Sequence, residues 1–501
     1  MFDPARWSRA DRVLFERSGA LRPSHADPAL RVLSRVADHS VLWMGCAAVG
    51  IAIGGTPRRA VVRGLLSVAG ASAVANGVLK PLLPRRRPPA RVEPHFRRRT
   101  VPMPTSSSFP SGHAASAAAF TTGVALESPA SAAVVAPLAA AVAYSRVHTG
   151  VHWPSDVLVG AAVGAAIALG TRRWWAVRDD EPAVAGPPVE APALPTGRGL
   201  LVVVNPGSGD GDSDHAELRA ALPDARIVTL PAGDDLAAEL DRLIGEHAPV
   251  AIGVDGGDGT VVAVASAAVA ANLPLAVFPG GTLNHFARGA GAADPGDTIR
   301  AVTEGHAVRI DLGQVTVTGP DSAAGQDDTA GTEHTFVNTA SLGGYPDSVR
   351  LRERWEPRIG KWPAAAAAMA RVLATATPLR LRLDGTPMAV WLLFVGNGRY
   401  TPTDRVPMSR PALTGGTLDV RYLRADRRWS RLRLLTAVAT GSLDRSPTYA
   451  QQNLSGLSVR IEGPSVALAT DGEVVADSTE FEFRSAPAIL TLYRLPDQES
   501  S

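Results

Sequence analysis

The sequence predicts an all-α membrane helical bundle, then an α/β domain, then a mostly β domain. Three observations predict it. Long Ala/Gly-rich apolar runs are confined to the first third of the chain, and short strand-like runs ending in Gly-rich turns follow a Pro-rich break. Beyond about residue 335 the pattern is strand-like, with few long helical stretches. At 501 residues the chain is also too long for one ordinary hydrophobic core.

Charge divides along the same line. Residues 1–178 hold 22 Lys+Arg against 8 Asp+Glu, leaving 28 against 40 for the remainder, so a net charge of +2 hides a front of +14 and a back of −12. A basic, apolar front suits a membrane that carries phosphate groups; the acidic back argues against nucleic acid as partner. The one cysteine, Cys46, lies in an apolar run, which excludes an intrachain disulfide and a cysteine-based metal site. The first 35 residues mix charges of both signs and contain no apolar core of a signal peptide.

Element by element, apolar runs at 39–56, 60–80, 111–127, 131–146 and 155–171 are candidates for five spans, since crossing a bilayer takes about 17 to 25 residues. Small residues suit close helix packing there. Trp174 and Trp175, beside Arg172 and Arg173, read as an interfacial anchor. Residues 1–178 form this bundle, and 179–198, rich in Pro and acids, read as a semi-extended linker. Leu200–Val204 and 251–254 read as buried strands, opening an α/β part over 199–312. In the β-rich part, 313–501, strands are expected at 389–395, 417–423, 456–461 and 481–483, with 318–334 a mobile surface hairpin loop.

Three clusters sit at the ends of the candidate spans: Lys80, six residues, then Arg87-Pro88; Pro110-Ser111-Gly112-His113; and Ser145-Arg146, five residues, His152, three residues, Asp156. A phosphate monoester dianion needs several fixed cations and oriented donors, and a helix N-terminus supplies more. The bland reading makes such arginines headgroup anchors. Against it, Lys80 and Lys361 are the only lysines in the chain, and one of them falls on the first cluster. Together the clusters resemble the type 2 phosphatidic acid phosphatase family, whose pocket is shared with vanadium haloperoxidases. The resemblance implies that Lys80, Arg87, Ser111, Gly112 and Arg146 bind phosphate. It also implies that His152 is a nucleophile oriented by Asp156, that His113 is the acid for the leaving alkoxide, and that no cofactor is needed. His148 lies outside the motif and is left structural.

The back half carries Asn205-Pro206-Gly207-Ser208-Gly209, Gly256-Gly257-Asp258-Gly259-Thr260, Gly280-Gly281-Thr282-Leu283-Asn284 and Asp471-Gly472-Glu473. Glycines after a strand let backbone amides approach phosphate oxygens. A lone run of this kind is an ordinary turn, but these four in order resemble the diacylglycerol kinase catalytic domain family, which includes sphingosine and ceramide kinases. The resemblance implies a nucleotide-binding α/β domain that uses ATP and Mg2+. Asn205, Gly256, Gly257, Asp258, Gly259, Thr260, Gly281 and Thr282 would line the nucleotide cleft, Asp258 would handle the metal, and Asp471 would be the base, supported by Glu473. In two places the chain departs from the family. Gly415-Gly416-Thr417-Leu418-Asp419 lacks a carboxylate tied to a bound magnesium, and Val261-Val262-Ala263 replaces an Asn-Glu pair.

The expected function is a bifunctional lipid phosphate phosphatase and lipid kinase, with membrane lipids and ATP as partners. Span parity puts the kinase in the cytoplasm and the phosphatase on the outer face. On that scheme Arg58, Arg59 and Arg63 are cytoplasmic topology signals. The seven arginines between 85 and 99 then lie outside, and some are assigned to substrate phosphate. Rival readings are a single-activity kinase with a membrane anchor, a silent lipid-binding regulator, an NAD kinase and a haloperoxidase.

Overall fold

The computed structural model describes residues 4–21, 24–89, 103, 105–175, 177, 182–205, 216–230, 236–280, 285–318, 331–359, 364, 367–368, 371–372, 375–403, 407 and 409–496. The chain divides into two units, Met1–Arg178 and Asp179–Ser501.

The first unit is helical: α1 (Pro4–Gly19), α2 (Ala26–Val36), α3 (Val41–Ile53), α4 (Gly55–Ser72), one-turn α5 (Lys80–Leu82), α6 (Gly112–Glu127), α7 (Pro129–His148) and α8 (Pro154–Gly170). A π-helical turn over Ala73–Leu79 joins α4 to α5. Among the described residues, three helical stretches are long and apolar enough to cross a membrane: Gly55–Leu82, Pro129–His148 and Pro154–Arg173. The pair α2 and α3, bent by 81°, would make a fourth. The run expected to be the third span, α6, has 16 residues and is the buried centre of the bundle, with Ala114, Ala117, Phe120 and Val124 inaccessible. A helix enclosed by other helices need not match the bilayer thickness itself.

Small residues set the packing around α6. A Cβ on Gly123 would meet the Gly64 Cα of α4 at 2.9 Å, and one on Gly164 would meet the Ala115 carbonyl carbon at 2.8 Å. The helices therefore touch backbone to backbone. At the end of α6 away from Ser111, Arg63 is fully buried, donating Nε to Glu127 at 2.6 Å, Nη1 to Thr171 at 3.1 Å and Nη2 to the Trp175 carbonyl at 2.8 Å. This revises the reading of Arg63 as a topology signal: it ties α4, α6 and the end of α8 together. Its guanidinium also lies over the Trp175 ring at 4.8 Å, so Trp175 serves the bundle, and Trp174 is the exposed one of the pair.

The second unit is sheet-rich. Its elements are β1 (Pro188–Glu190), β2 (Leu200–Val204), α9 (Ala216–Ala221), β3 (Arg226–Thr229), α10 (Leu236–His247), β4 (Ala251–Gly256), α11 (Asp258–Ala270), β5 (Leu275–Pro279), α12 (His285–Gly289), α13 (Pro295–Glu304) and β6 (His306–Thr318). There follow β7 (Thr332–Phe336), β8 (Thr339–Gly343), α14 (Gly344–Ile359), β9 (Leu379–Leu383), β10 (Thr386–Asn397), β11 (Leu418–Arg424), α15 (Ser430–Thr440), β12 (Tyr449–Leu454), β13 (Gly456–Ile461), β14 (Val466–Thr470), β15 (Glu473–Ser478) and β16 (Glu480–Tyr493).

Strands β3, β2, β4 and β5 pair in parallel in that order. The unbroken apolar run of β2 has a simple cause: Leu201 and Val203 enter one core while Leu200, Val202 and Val204 enter another on the opposite face. The sheet does not stop at residue 312. β6 runs through that point, pairs with β16, and β16 in turn joins β5 in parallel. The β-rich region is thus hydrogen-bonded to the α/β region as one sheet. Residues read as a linker are extended, as their prolines dictate, but tied down: β1 pairs with β6, and Val184 bridges Ala412. The hairpin expected over 318–334 has its stems in β6 and β7, paired at Val317 and Thr332; residues 319–330 lie outside the described residues.

Candidate functional sites

In the first unit, the turn before α6 and the turn before α8 come together. Ser111 caps α6, is fully buried, and donates its backbone N–H to the Asp156 carbonyl at 2.9 Å. A Cβ on Gly160 of α8 would strike the Ser111 backbone, so the glycine is what lets the two turns meet. Gly112 opens α6, and its amide belongs to the anion-favouring first turn.

His152 is 2% exposed, in the turn between α7 and α8. Arg87 Nη1 donates to the Val151 carbonyl at 2.8 Å and points at His152 Nε2 at 3.3 Å. A guanidinium only donates, so Nε2 is the accepting nitrogen and the ring proton sits on Nδ1, 3.5 Å from Asp156 Oδ2. Burial, with Arg146 and Arg87 adding to it, pushes His152 down to about 4, so the ring is neutral near pH 7. Asp156 is completely buried at the third position of α8, where its Oδ2 accepts the Trp153 N–H at 2.9 Å. That N-terminal position favours a carboxylate.

The remaining cations surround this pair. Lys80 lies within electrostatic reach of both Arg87 and Arg146, and Arg146 is buried, held by Ser34 of α2. His113 Nε2 meets Asp38 Oδ1 at 2.7 Å. His148, left structural on sequence grounds, is buried against Asp27 at 2.9 Å and joins α7 to α2. Sequence reasoning missed Asp11, Ser34, Asp38 and Arg85. The two carboxylates had a signal: only 8 acids stand among 22 bases in residues 1–178, so each has a high chance of facing a cation.

In the second unit, β4 ends at Gly256 and Gly257 caps α11. A Cβ on Gly256 would meet Thr260 at 2.9 Å, one on Gly259 would meet Glu473 Oε1 at 2.5 Å, and one on Gly280 would strike the Asp255 carboxylate. These glycines bring β4, β5, β15 and the N-terminus of α11 into one place. Asn205 Nδ2 donates to Thr260 Oγ1 at 2.8 Å, and Asp258 Oδ1 accepts the Phe286 N–H at 3.2 Å. Gly281 and Thr282 lie outside the described residues.

Asp471 occupies the tight turn between β14 and β15, with φ +49°. Its Oδ1 accepts the N–H groups of Asn338 and Thr339 at 2.8 and 2.9 Å, and its Oδ2 accepts that of Val337 at 2.8 Å. Burial pushes its carboxyl up to about 6, opposed by these three donors and helped by the nearby Asp258 charge. The carbonyls of the same 337–339 turn are held in turn. Tyr400 Oη donates to Asn338 at 3.0 Å, while Asn397 Nδ2 and Arg410 Nη1 donate to Val337 at 3.0 and 3.1 Å. At the glycine pair that departs from the family, the Gly416 N–H donates to Asp311 Oδ2 at 2.7 Å. Asp419 is committed to Arg421 and to the Tyr400 N–H.

The resemblance of the back unit to the diacylglycerol kinase catalytic domain family implies ATP and a divalent metal. Among the described residues no three His, Cys, Asp or Glu side chains converge as a metal cage. Mg2+ does not require one, because it is usually held by one or two carboxylates, waters and the nucleotide's own phosphates. Asp258 and Glu473 beside an anion-favouring helix N-terminus fit that mode.

A cationic pocket at the ends of apolar helices, followed by a Gly-rich parallel α/β fold, defines a membrane-associated phosphoryl-transfer protein. Residues 61–180 match the PAP2 superfamily and residues 199–315 the diacylglycerol kinase catalytic domain. The front of the chain is 40% identical, over 164 residues, to decaprenylphosphoryl-5-phosphoribose phosphatase of Mycobacterium tuberculosis, covering 31% of this chain and 80% of that protein. The back is 29% identical, over 315 residues, to diacylglycerol kinase of the same organism, covering 59% of this chain and 94% of the relative. A crystal structure of a diacylglycerol kinase from Bacillus anthracis aligns with a TM-score of 0.40 at 18% identity, covering 59% of this chain and 97% of that one. The chain belongs to the PAP2 superfamily through its front unit, and residues 199–315 of its back unit match the diacylglycerol kinase catalytic domain.

Proposed function

We propose that the chain is a bifunctional enzyme that removes phosphate from one membrane lipid and adds it to another. The observation that carries the reading is the meeting of Arg87, His152 and Asp156 in one buried turn, in a chain that also carries the three-amide cradle of Asp471.

In the phosphatase, Lys80, Arg87 and Arg146 with the Ser111 hydroxyl and Gly112 amide hold a phosphate monoester. The neutral His152 Nε2 attacks phosphorus, the P–O bond to the lipid breaks, and His113 delivers a proton to the departing alkoxide. Asp156 holds the Nδ1 proton and stabilises the cation that develops on the ring. Water, deprotonated by His113, then cleaves the phosphohistidine and restores both residues.

In the kinase, ATP with Mg2+ supplies the transferable phosphoryl group and screens its charge. The amides of the turn from β4 into α11, Gly256 to Thr260, cradle phosphates, with Asn205 lining the cleft, Gly281 and Thr282 assigned to it by the family resemblance, and Asp258 placed to hold the metal. Asp471 takes the proton of the lipid hydroxyl, with Glu473 beside it. The relatives point to a diacylglycerol-like acceptor and a polyprenyl-linked phosphate substrate. The protein would be multi-pass in the cell membrane, with its kinase in the cytoplasm and its phosphatase site outside.

The test uses the full chain in detergent, with a lipid phosphate panel for phosphate release and labelled ATP with a lipid alcohol panel for transfer. His152→Ala should abolish only release and Asp258→Ala only transfer. A wild type showing one activity reduces the other unit to an anchor or a silent remnant.

A further inference from the structure

Among its described side chains, the helix α1 buries Asp11, Phe15 and Ser18, the spacing of one helical face. Two of the three are ordinary for a buried stripe. The third is a carboxylate, 3% exposed, where an aliphatic side chain would be expected. Its oxygens are fully engaged: Oδ1 accepts the Ser155 N–H at 2.8 Å, and Oδ2 accepts the Ser155 hydroxyl at 2.6 Å and Arg85 Nη2 at 2.6 Å. Arg85 Nη1 donates to Asp156 Oδ1 at 2.7 Å and to the Ser155 hydroxyl at 2.7 Å. Four groups from three distant segments thus stand in a line of alternating character: Asp11, Arg85, Asp156, His152. Phe15 packs on Trp153 at 5.3 Å between ring centres, and Arg85 lies over the same ring at 5.6 Å, so the line is braced from the side.

Arg85 is not part of the cluster that begins at Lys80; that role falls to Arg87. What Arg85 does is decided by its two carboxylates. With Asp11 in place its fork is split, one arm to each acid, so Asp156 keeps Oδ2 for the Trp153 N–H and for the His152 ring. Without the Asp11 charge, the guanidinium has one acid left and is free to close on it bidentately, drawing Asp156 off the imidazole and neutralising it.

We propose that Asp11, reaching in from the N-terminal helix, is a positioning residue of the phosphatase that divides Arg85 between two carboxylates and keeps Asp156 available to His152. The proposal rests on the phosphatase reading above. The groups facing His152 are Arg87 from the loop after α5, Arg146 from α7, His113 from α6 and Asp156 from α8, so Asp156 is its one anionic neighbour among them. Loss of the Asp11 charge therefore makes the imidazolium harder to form, both in the transition state and on titration.

The experiment measures phosphate release by the full chain in detergent, from a long-chain lipid phosphate, over pH 4 to 9. Asp11→Asn keeps the shape and removes the charge. We expect kcat to fall about 10- to 100-fold, the range usual for a residue that orients another catalytic group, with KM within about threefold because the phosphate-holding cations are untouched. The acid limb of kcat/KM should move to lower pH, Asp11→Glu should recover most of kcat, and Asp11→Asn should cost little once Arg85→Gln is present. ATP-dependent phosphorylation and the melting temperature of the same samples report folding. If Asp11→Asn keeps the wild-type kcat and pH profile, or loses activity only in step with the folded fraction, Asp11 is a fastener for α1 and the proposal is wrong. Wild-type protein that releases no phosphate from any lipid overturns the phosphatase reading and the proposal together.

Discussion

Gly160 offers a way to move the Ser111 turn without touching a charged group. A methyl group placed there would collide with the Ser111 carbonyl and lie 3.2 Å from its carbon and 3.3 Å from its nitrogen. One turn on, the same change at Gly164 would drive Cβ into the Ala115 carbonyl oxygen and leave it 2.8 Å from the carbonyl carbon, well inside the about 3.5 Å at which carbon atoms settle, so α8 and α6 must part there. Replacing Gly by Ala in a helix gains about 1 kcal/mol of propensity, whereas overpacking a tight contact costs about 1 to 3 kcal/mol. The clash should win at both sites. Gly170 is the control, since a Cβ there meets nothing within 4 Å. Thermal unfolding in detergent should therefore rank Gly170→Ala at or above wild type, with Gly160→Ala and Gly164→Ala below it. Because the Gly160 strain falls on Ser111, phosphate release should drop about 10- to 100-fold in Gly160→Ala, as displacements near 1 Å do at a reacting centre. ATP-dependent phosphorylation should persist. A Gly160→Ala protein that melts and hydrolyses like Gly170→Ala would refute the backbone-contact account of the site.

Other outcomes follow from the same reasoning. As the proposed base, Asp471 must be ionised to accept a proton, and a carboxyl raised to about 6 is mostly protonated below that value; kcat/KM for phosphorylation should thus fall as pH drops through about 6, which a pH–rate profile checks. Arg63→Ala leaves buried Glu127 with Arg59, at 3.7 Å, as its remaining ion-pair partner among the described residues, a loss of about 3 kcal/mol, visible as a lower melting temperature that Arg63→Ala with Glu127→Gln partly restores. Tyr400→Phe removes the Oη donor to the Asn338 carbonyl, worth about 1 kcal/mol, and should slow phosphorylation while leaving phosphate release unchanged.

Local patterns carried much of this architecture. The buried run of β2 and the Gly-rich turns after β4 and β5 declare themselves in the sequence, because strand period and glycine placement are properties of adjacent residues. The clusters at Lys80, Ser111 and His152 are likewise short-range. What could not be read is where distant polar groups meet. Arg63 looks like any juxtamembrane arginine until Glu127, 64 positions away, is found against it. Asp11 and Asp38 gain meaning only when α1 and the turn before α3 fold over the pocket. The expected division at residue 312 falls inside β6, one continuous strand that pairs antiparallel with β16 along its length, while the far end of β16 joins β5 of the parallel sheet. Hydrophobic periodicity within a strand does not reveal which partner each end will find.

The cradle of Asp471 has a consequence for the order in which the second unit can become competent. Its three amides come from residues more than 130 positions earlier in the chain, and the clamps on that turn, Asn397, Tyr400 and Arg410, come from a third region. A polypeptide emerging from synthesis can complete strands β2 to β5 and their glycine turns while everything beyond residue 337 is still missing. Such an intermediate holds the glycine turns but neither Asp471 nor the amides that cradle it. The Asp471 cradle therefore closes only once all three regions of the chain are present.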